Sequence, residues 1–383
     1  MEAFQIKALF SRLVIEKEMK ITHTEIYRFS IPMEPFVIAT GTMDYAQNTF
    51  IRVYTDSGIY GVGECSAFPM IVGETQDTCL ALAKDFARLW KGKDPLAIAE
   101  RLAELDAYVA RNSTIKSAFD LALHDLAAKH ADMPLYRFLG GEARNVVTDI
   151  TVGIASPEIM ATKALAFKNQ GADVLKIKLG KKPAEDIERI AAIRQAVGET
   201  LSIRIDANQG WSYHEAVAAL RGLQPFNIQF CEQPMRSYND HLLPRLRKET
   251  TIPLMADESC YDHRDAERLA IQGACDYINI KFSKSGGIAE AMRIQQAAAD
   301  HQIPCMIGGM LESRLALSAK VHFAFAAPNV RFFDMDTCML GHLEDPVIDG
   351  VRFDGYRLSL PELPGIGADV DDAFLTTCER WEV

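Results

Sequence analysis

Five charged residues of this 383-residue chain recur at an almost constant interval. They are Lys178, Asp206, Glu232, Asp257 and Lys281, separated by 28, 26, 25 and 24 residues. Each closes or follows a short apolar run: DVLKIKL, LSIRID, IQFCE, PLMAD and YINIK. Surface charges would not keep pace with such a repeat. Asp206, Glu232 and Asp257 are carboxylates on three successive runs. Brought to one place they repel one another, so they need a cation. An all-carboxylate set suits Mg²⁺, with Mn²⁺ as the alternative, and not zinc. Three monodentate carboxylates also leave positions for water and substrate. Singly, an acid at such a place more often caps the next helix; the regular triple argues for a metal.

Lys176 and Lys178 form Lys-x-Lys on one run. The strand period of two puts both side chains on one face, with Ile177 and Leu179 on the other. Burial and a neighbouring ammonium each lower a lysine's pKa, which makes a general base near neutral pH. Alone, Lys-x-Lys would read as a solvated strand edge. Lys281 lies four runs further on, and its presence with the carboxylates favours two bases flanking a bound substrate.

The interval also points to a scaffold. A β-α-β unit takes about 30 residues or more, so one residue per strand end recurs at roughly this spacing. Eight strand-like runs, VTDITVGI, DVLKIKL, LSIRID, IQFCE, PLMAD, YINIK, PCMIGG and VRFFDMD, alternate with seven helical patterns. Such alternation predicts a parallel sheet, and its compactness predicts a closed barrel with the active site at the C-terminal strand ends. On strands two and six of eight, Lys178 and Lys281 then face each other.

Upstream, residues 19–66 read as β, with a hairpin at Asp56-Ser57-Gly58 and a long loop from Pro32 to Tyr45. Helical periodicity follows over 75–92, 94–109 and 112–131, with Asp94-Pro95 and Asn112-Ser113 as caps. From Gly341 onward, turns replace an eighth helix, and the tail is expected to pack on the N-terminal piece. The predicted fold class is α/β: a (β/α)₇β modified TIM barrel over 146–340, capped by an α+β domain formed from 19–145 and 341–383. Residues 1–18 read as an added extension or an alternative start, with Met19 opening the fold.

Composition removes other classes. Lys plus Arg is 41 against 52 for Asp plus Glu, a net charge of −11, which argues against nucleic acid or anionic membranes as partners. No run of 18 apolar residues exists. The eight cysteines include no Cys-x-x-Cys and read as buried thiols of a reducing, cytoplasmic compartment. His-Glu-x-x-His and Gly-x-Ser-x-Gly are absent. His124, His130 and His322 fall on helical patterns and read as structural. Lys284-Ser285-Gly286-Gly287 could cradle a phosphate, but reads more simply as a turn before a helix.

With these residues in place, the chain resembles the enolase superfamily, in the branch of muconate lactonizing enzyme and the dipeptide epimerases. The resemblance covers about residues 19–370 and rests on SAFDLALHDLAAKHADMPLYRFLGG, KIKLG, RIDANQGW, CEQP, ADES and INIKFSKSGG. Lysine bases working with Mg²⁺ are a known property of that superfamily. The resemblance implies Mg²⁺ on Asp206, Glu232 and Asp257. It implies Lys178 and Lys281 as acid/base residues on opposite faces of a carbanion, with Lys176 holding an oxygen and tuning Lys178. FFDMDTCML puts Asp334-x-Asp336 at the end of strand eight, where dipeptide epimerases carry a pair that grips the substrate's α-ammonium. A capped loop with one Asp paired to an Arg is the plainer reading. Thr151, at the end of the first strand, is a substrate contact by position alone.

The implied function is Mg²⁺-dependent 1,1-proton transfer at the α-carbon of the C-terminal residue of a dipeptide, in a homo-oligomer. In the Ala-Glu epimerases a loop Arg after Pro-Phe of the cap helps bind the glutamate carboxylate. Aligning Pro35-Phe36 puts Gly41 there, and no Lys or Arg lies between Pro32 and Asn48. Burying a second carboxylate without a cation is costly, so a small or hydrophobic second residue is expected. Rivals on the same scaffold are o-succinylbenzoate synthase, N-succinylamino acid racemase and muconate cycloisomerase, whose substrates offer Asp334 and Asp336 no ammonium. A Schiff-base aldolase would need no metal, and a silent binding protein would not need the intact lysine and carboxylate set.

Overall fold

A computed structural model describes residues 19–383; the reading of residues 1–18 lies outside them. Strands β1 (Ile21–Ile38), β2 (Gly41–Thr55) and β3 (Tyr60–Ser66) form an antiparallel meander rich in β-branched and aromatic residues. The turn at Asp56-Ser57-Gly58 joins β2 to β3 as expected. The loop expected over Pro32–Tyr45 is instead paired almost to its tip. Phe36 lies opposite Met43 and Ile38 opposite Gly41, leaving a turn of Ala39 and Thr40. Pro32 and Pro35 of this stretch stand at a register shift between Pro32 and Phe36, where missing N–H groups do no harm.

Helices α1 (Gln76–Trp90), α2 (Ile98–Tyr108) and α3 (Ser113–His130) follow. Asp94 accepts from the Leu96 N–H at 2.8 Å, ahead of α2. Asn112 precedes α3 but does not cap it with its side chain. Glu74 does so instead, accepting from the N–H groups of Thr114 (2.9 Å) and Ile115 (3.4 Å). Residues Thr114 to Ala128 of α3 are all buried, because the meander covers one side and the barrel the other. Gly63 makes that approach possible: a Cβ there would sit 1.9 Å from the carbonyl of Ala118.

After β4 (Val146–Val147), the barrel strands are β5 (Ile150–Val152), β6 (Val174–Lys178), β7 (Ser202–Asp206), β8 (Ile228–Glu232), β9 (Leu254–Ala256), β10 (Tyr277–Ile280), β11 (Cys305–Gly308) and β12 (Val330–Asp334). They are adjacent in chain order and each is parallel to the next. The first and last meet through Asp149 N–H to Phe333 O (3.1 Å) and Met335 N–H to Thr148 Oγ1 (2.8 Å), so the barrel is nearly closed. Six connections carry helices: α4 (Pro157–Asn169), α5 (Pro183–Val197), α6 (Tyr213–Leu223), α7 (His263–Ile271), α8 (Ile288–Asp300) and α9 (Arg314–Ala326). The β8–β9 connection differs from the helix expected. It is a 3₁₀ segment, Ser237–Leu242, and one α turn, Leu243–Leu246, since Pro244 cannot donate back along a continuous helix. The tail forms β13 (Val347–Asp349), β14 (Arg352–Asp354), β15 (Arg357–Ser359), β16 (Ala368–Val370) and β17 (Arg380–Glu382). β17 pairs with β1, and β15 with β4, so both chain ends build the cap.

Two buried acids of the N-terminal region cap barrel helices. Asp120 on α3 accepts from Ile288 (2.6 Å) and Ala289 (3.2 Å) at the start of α8. The residue preceding that helix is Gly287, which has no side chain to offer. Its φ is +115°, and a Cβ would meet Asp120 at 2.4 Å. Glu64 on β3 accepts from Ser313 N (2.8 Å), Ser313 Oγ (2.6 Å) and Ala316 N (3.1 Å) at the start of α9. A carboxylate at a helix N-terminus satisfies free N–H groups and meets the positive end of the helix dipole. Asp120→Ala should therefore destabilise the protein by about 2 kcal/mol in urea unfolding.

His322 ties α9 to the rest. Its Nδ1 accepts from Tyr136 N–H (3.0 Å), and Nε2 meets the Ile366 carbonyl at 3.1 Å, as the neutral Nε2–H tautomer allows. Burial pulls its pKa from 6.5 down to about 4. The unfolded chain thus binds the proton first, and stability present above pH 6.5 is lost as pH falls toward 4. The loss should reach about 3 kcal/mol, and His322→Gln should flatten that pH dependence of the urea midpoint.

Candidate active site

Period two layers the barrel interior. Phe230, Tyr277 and Phe332 pack with ring centroids 4.9–5.6 Å apart, joined by Met255 and Met306. The Arg204 guanidinium lies over Phe230 and Phe332 at 5.3 and 5.1 Å. This plug closes the barrel at its base. The charged layer stands two residues further along the strands: Asp206 after Arg204, Glu232 after Phe230, Asp257 after Met255 and Asp334 after Phe332. On β10, Asn279 follows Tyr277 and Lys281 follows Asn279.

The lysines and carboxylates meet in one buried, ion-paired group. Lys176 Nζ lies 2.7 Å from Glu232, 2.7 Å from Asp334 and 3.2 Å from Asp206. Lys178 Nζ donates to Asp206 Oδ2 at 2.6 Å. Lys281 Nζ is 2.8 Å from Asp257 Oδ2. All seven side chains are buried, as are Ile177 and Leu179, which point outward into the core. Asn279 donates to Glu232 Oε1 at 2.7 Å, and Asn208 N–H to Asp206 Oδ1 at 2.8 Å.

Beside this group lies a tighter acid cluster. Asp149, Asp334 and Asp336 are buried, with one oxygen of each within 4.8 Å of the others. Each has one oxygen engaged: Asp149 by Arg204 (2.8 Å), Asp334 by Lys176 (2.7 Å) and Asp336 by the Thr151 N–H (2.7 Å). Thr151 thus meets the site through its backbone. The arginine imagined for Asp334 or Asp336 sits on Asp149 instead. Asp149, Arg204, Asn279 and Lys284 were not picked out by the interval. The first three carry a readable signal, since each stands two residues before Thr151, Asp206 or Lys281 on the same face.

The charges do not balance within the protein. Asp149, Asp206, Glu232, Asp257, Glu258, Asp334 and Asp336 face Lys176, Lys178, Arg204, Lys281 and Lys284, all buried. The excess of two negative charges equals one divalent cation. Buried Glu232 Oε2 and both Asp257 oxygens also lack an aligned hydrogen bond, although ammonium groups lie near them. Oxygen-only donors, spare lone pairs and this excess fit Mg²⁺ on Asp206, Glu232 and Asp257.

The titration shifts report the same excess. Burial pushes Glu232 up to about 8, and Asp206 adds to the rise. Asp149 rises to about 8 and Asp336 to about 7, through burial and then the charge of Asp334. Asp334 falls to about 2, because Lys176, Lys178 and Lys281 outweigh its burial. The lowered lysine pKa expected from burial is not found at Lys176 or Lys281. Both are raised, since burial is overcome by the carboxylates around them, chiefly Asp334 for Lys176 and Asp257 for Lys281. A divalent cation on the same carboxylates competes for that negative charge and works against the rise.

An eight-stranded barrel with its charged layer at the C-terminal strand ends, under a cap built from both chain ends, is the enolase architecture. Residues 21–140 match the mandelate racemase / muconate lactonizing enzyme N-terminal domain, and residues 159–374 the enolase C-terminal domain-like family. The chain belongs to the mandelate racemase / muconate lactonizing enzyme family of the enolase superfamily. It is 41% identical over 365 residues to the D-Ala-D/L-Ala epimerase of Cytophaga hutchinsonii, covering 94% of this chain and 99% of that one. It is 37% identical over 352 residues to a hydrophobic dipeptide epimerase of Enterococcus faecalis, covering 91% and 99%. The crystal structure of the C. hutchinsonii dipeptide epimerase with Mg and D-Ala-L-Val superposes with a TM-score of 0.93, at 40% identity over 95% of this chain and 100% of that one.

EDTA should abolish turnover and Mg²⁺ should restore it, measured by loss and return of α-proton exchange. Turnover that survives EDTA would point to Schiff-base chemistry on a barrel lysine.

Proposed function

We propose that the protein is an isomerase that epimerises dipeptides at the α-carbon of the C-terminal residue, with Mg²⁺ as cofactor and Mn²⁺ as a substitute. One observation carries this reading. Lys176 touches the acids of the metal set and the Asp334 end of the second acid cluster through a single ammonium. The chamber thus offers two adjacent anionic ends, one for a metal-bound carboxylate and one for an ammonium. Neighbouring α-carbons lie about 3.8 Å apart, and the ammonium and carboxylate lie one bond beyond them, so a dipeptide can reach both ends at once.

Mg²⁺ held by Asp206, Glu232 and Asp257 supplies electrostatic stabilisation for charge that develops on the substrate carboxylate. Lys178 on β6 and Lys281 on β10 stand four strands apart in a barrel of eight. One takes the α-proton and the other delivers a proton to the opposite face, which inverts the centre. Each such transfer contributes on the order of 10²–10⁴-fold. Lys176 holds a carboxylate oxygen and keeps Asp334 ionised. Asp334 and Asp336 hold the ammonium, and Thr151 lines the same end.

The second residue is small or hydrophobic. The β1–β2 hairpin arches to the barrel mouth, where Val37 O accepts from Ile154 N–H (3.0 Å) and Ala39 O from Lys181 Nζ (3.1 Å). It carries no Lys or Arg between Pro32 and Asn48. Lys181, which reaches it from the barrel, is committed to a backbone carbonyl. The eight free thiols support a cytoplasmic protein, which we take to be a homo-oligomer. Among the described residues no helix is long and apolar enough to cross a membrane.

A dipeptide library in D₂O with Mg²⁺ should show a one-dalton gain at the second residue of neutral dipeptides. Lys178→Ala should stop exchange from one epimer while leaving the other; two-way epimerisation by that variant would sink the two-base scheme. Asp336→Asn should raise KM for dipeptides at least tenfold; no change would favour the rivals whose substrates lack an ammonium.

A further inference from the structure

The four buried lysines of the site fall into two kinds. Lys178 has one ion partner, Asp206, and Lys281 has one, Asp257. Lys176 meets three carboxylates. Lys284 is likewise surrounded by four oxygens: Asp257 Oδ1 (2.6 Å), the Asp257 carbonyl, the Cys260 carbonyl (3.0 Å) and the Asn279 carbonyl (3.1 Å). An ammonium has three protons, so Lys284 has none to spare. Asp206 is shared by Lys178 and the saturated Lys176. Asp257 is shared by Lys281 and the saturated Lys284. Each base thus stands on a metal-set aspartate whose place is held by a second lysine.

We propose that Lys284 is a positioning residue for metal binding. It pairs by charge with the Asp257 carboxylate at Oδ1, leaving Oδ2 to Lys281, and its three protons fix the exits of β9 and β10 through three backbone carbonyls. The turn that carries it, Phe282–Ser285, is anchored in the cap. The Ser283 carbonyl accepts from Ser113 Oγ (3.1 Å) and Thr114 Oγ1 (3.2 Å), and its Oγ accepts from Ser66 N–H (3.4 Å). Gly286 and Gly287 then let the chain turn against Asp120. The motif that resembled a phosphate cradle is a strut from cap to metal site. With its lysine buried and saturated, it offers no cation to a phosphate.

The inference rests on the reading of Asp257 as a metal ligand. Its test therefore reads metal binding without substrate, so dipeptide turnover and Lys284 can fail separately. Mg²⁺ binding to the full chain is measured by calorimetry, with Mn²⁺ binding by electron paramagnetic resonance as a second reading. Lys284→Met should lower Mg²⁺ affinity at least tenfold; affinity within twofold of wild type in the folded variant overturns the proposal. Wild-type protein that binds neither ion overturns it together with the ligand reading. If Lys284→Met does not fold, Lys284→Arg decides. Its planar guanidinium cannot meet three carbonyls and Oδ1 as the ammonium does. Mg²⁺ affinity should fall several-fold, beside any fall in thermal midpoint from the unmet carbonyls. A lowered midpoint with unchanged affinity means a purely structural lysine and overturns the proposal.

Discussion

Twelve ionisable side chains share the inside of one barrel, and their charges do not cancel. Taking any of them from water costs several kcal/mol unless a partner is close. The arrangement of strands, lysines and cap can be understood as the means of meeting that demand. The aromatic plug of Phe230, Tyr277 and Phe332 keeps water out from below. Arg204 lies flat on the plug and carries Asp149 above it, so the lowest carboxylate meets a cation suited to an apolar surface. The remaining acids are distributed over strands whose period places one group per layer. No strand presents two carboxylates to the same depth.

A barrel interior of this kind has to be held rigidly, because an ångström of slack breaks the hydrogen bonds that help offset the desolvation of a buried ion pair. The rigidity comes from outside the barrel. α3 is buried between meander and barrel, and its Asp120 sits on the first turn of α8. Glu64, one strand away, sits on the first turn of α9. These helices follow β10 and β11, so the cap grips the side of the barrel that carries Lys281. The β12 side is closed by the Asp149–Phe333 hydrogen bond and by Asp336 on the Thr151 amide, which places both residues in the seam of the barrel itself.

The barrel and its charged layer were legible because both follow from a period. A strand end every 24–28 residues marks the unit, and a residue two positions earlier marks the layer beneath. What was not legible depended on contacts that composition alone does not show. Pro32 to Tyr45 has a loop's composition, yet pairs because β2 offers Met43 and Gly41 across a bulge. Lys284 lies in a turn motif and becomes a buried cation only because three backbone carbonyls, from 257, 260 and 279, converge on it. The direction of the lysine shifts was missed for a related reason. Burial and like charge were visible in Lys-x-Lys, but three carboxylates around Lys176 outweigh both.

This division separates chemistry from selection. The proposed bases, the proposed metal ligands and the lysines that hold them all stand on strand ends and first turns, where displacement would cost buried hydrogen bonds. The hairpin over the mouth is tied to the barrel loops by hydrogen bonds to Val37 O and Ala39 O, both backbone carbonyls. Ile38 and Met43 of the hairpin are buried in the core, whereas the side chains between them are half-buried or exposed. The hairpin carries no Lys or Arg between Pro32 and Asn48, which supports a small or hydrophobic second residue, while the buried acids below it outnumber the cations beside them.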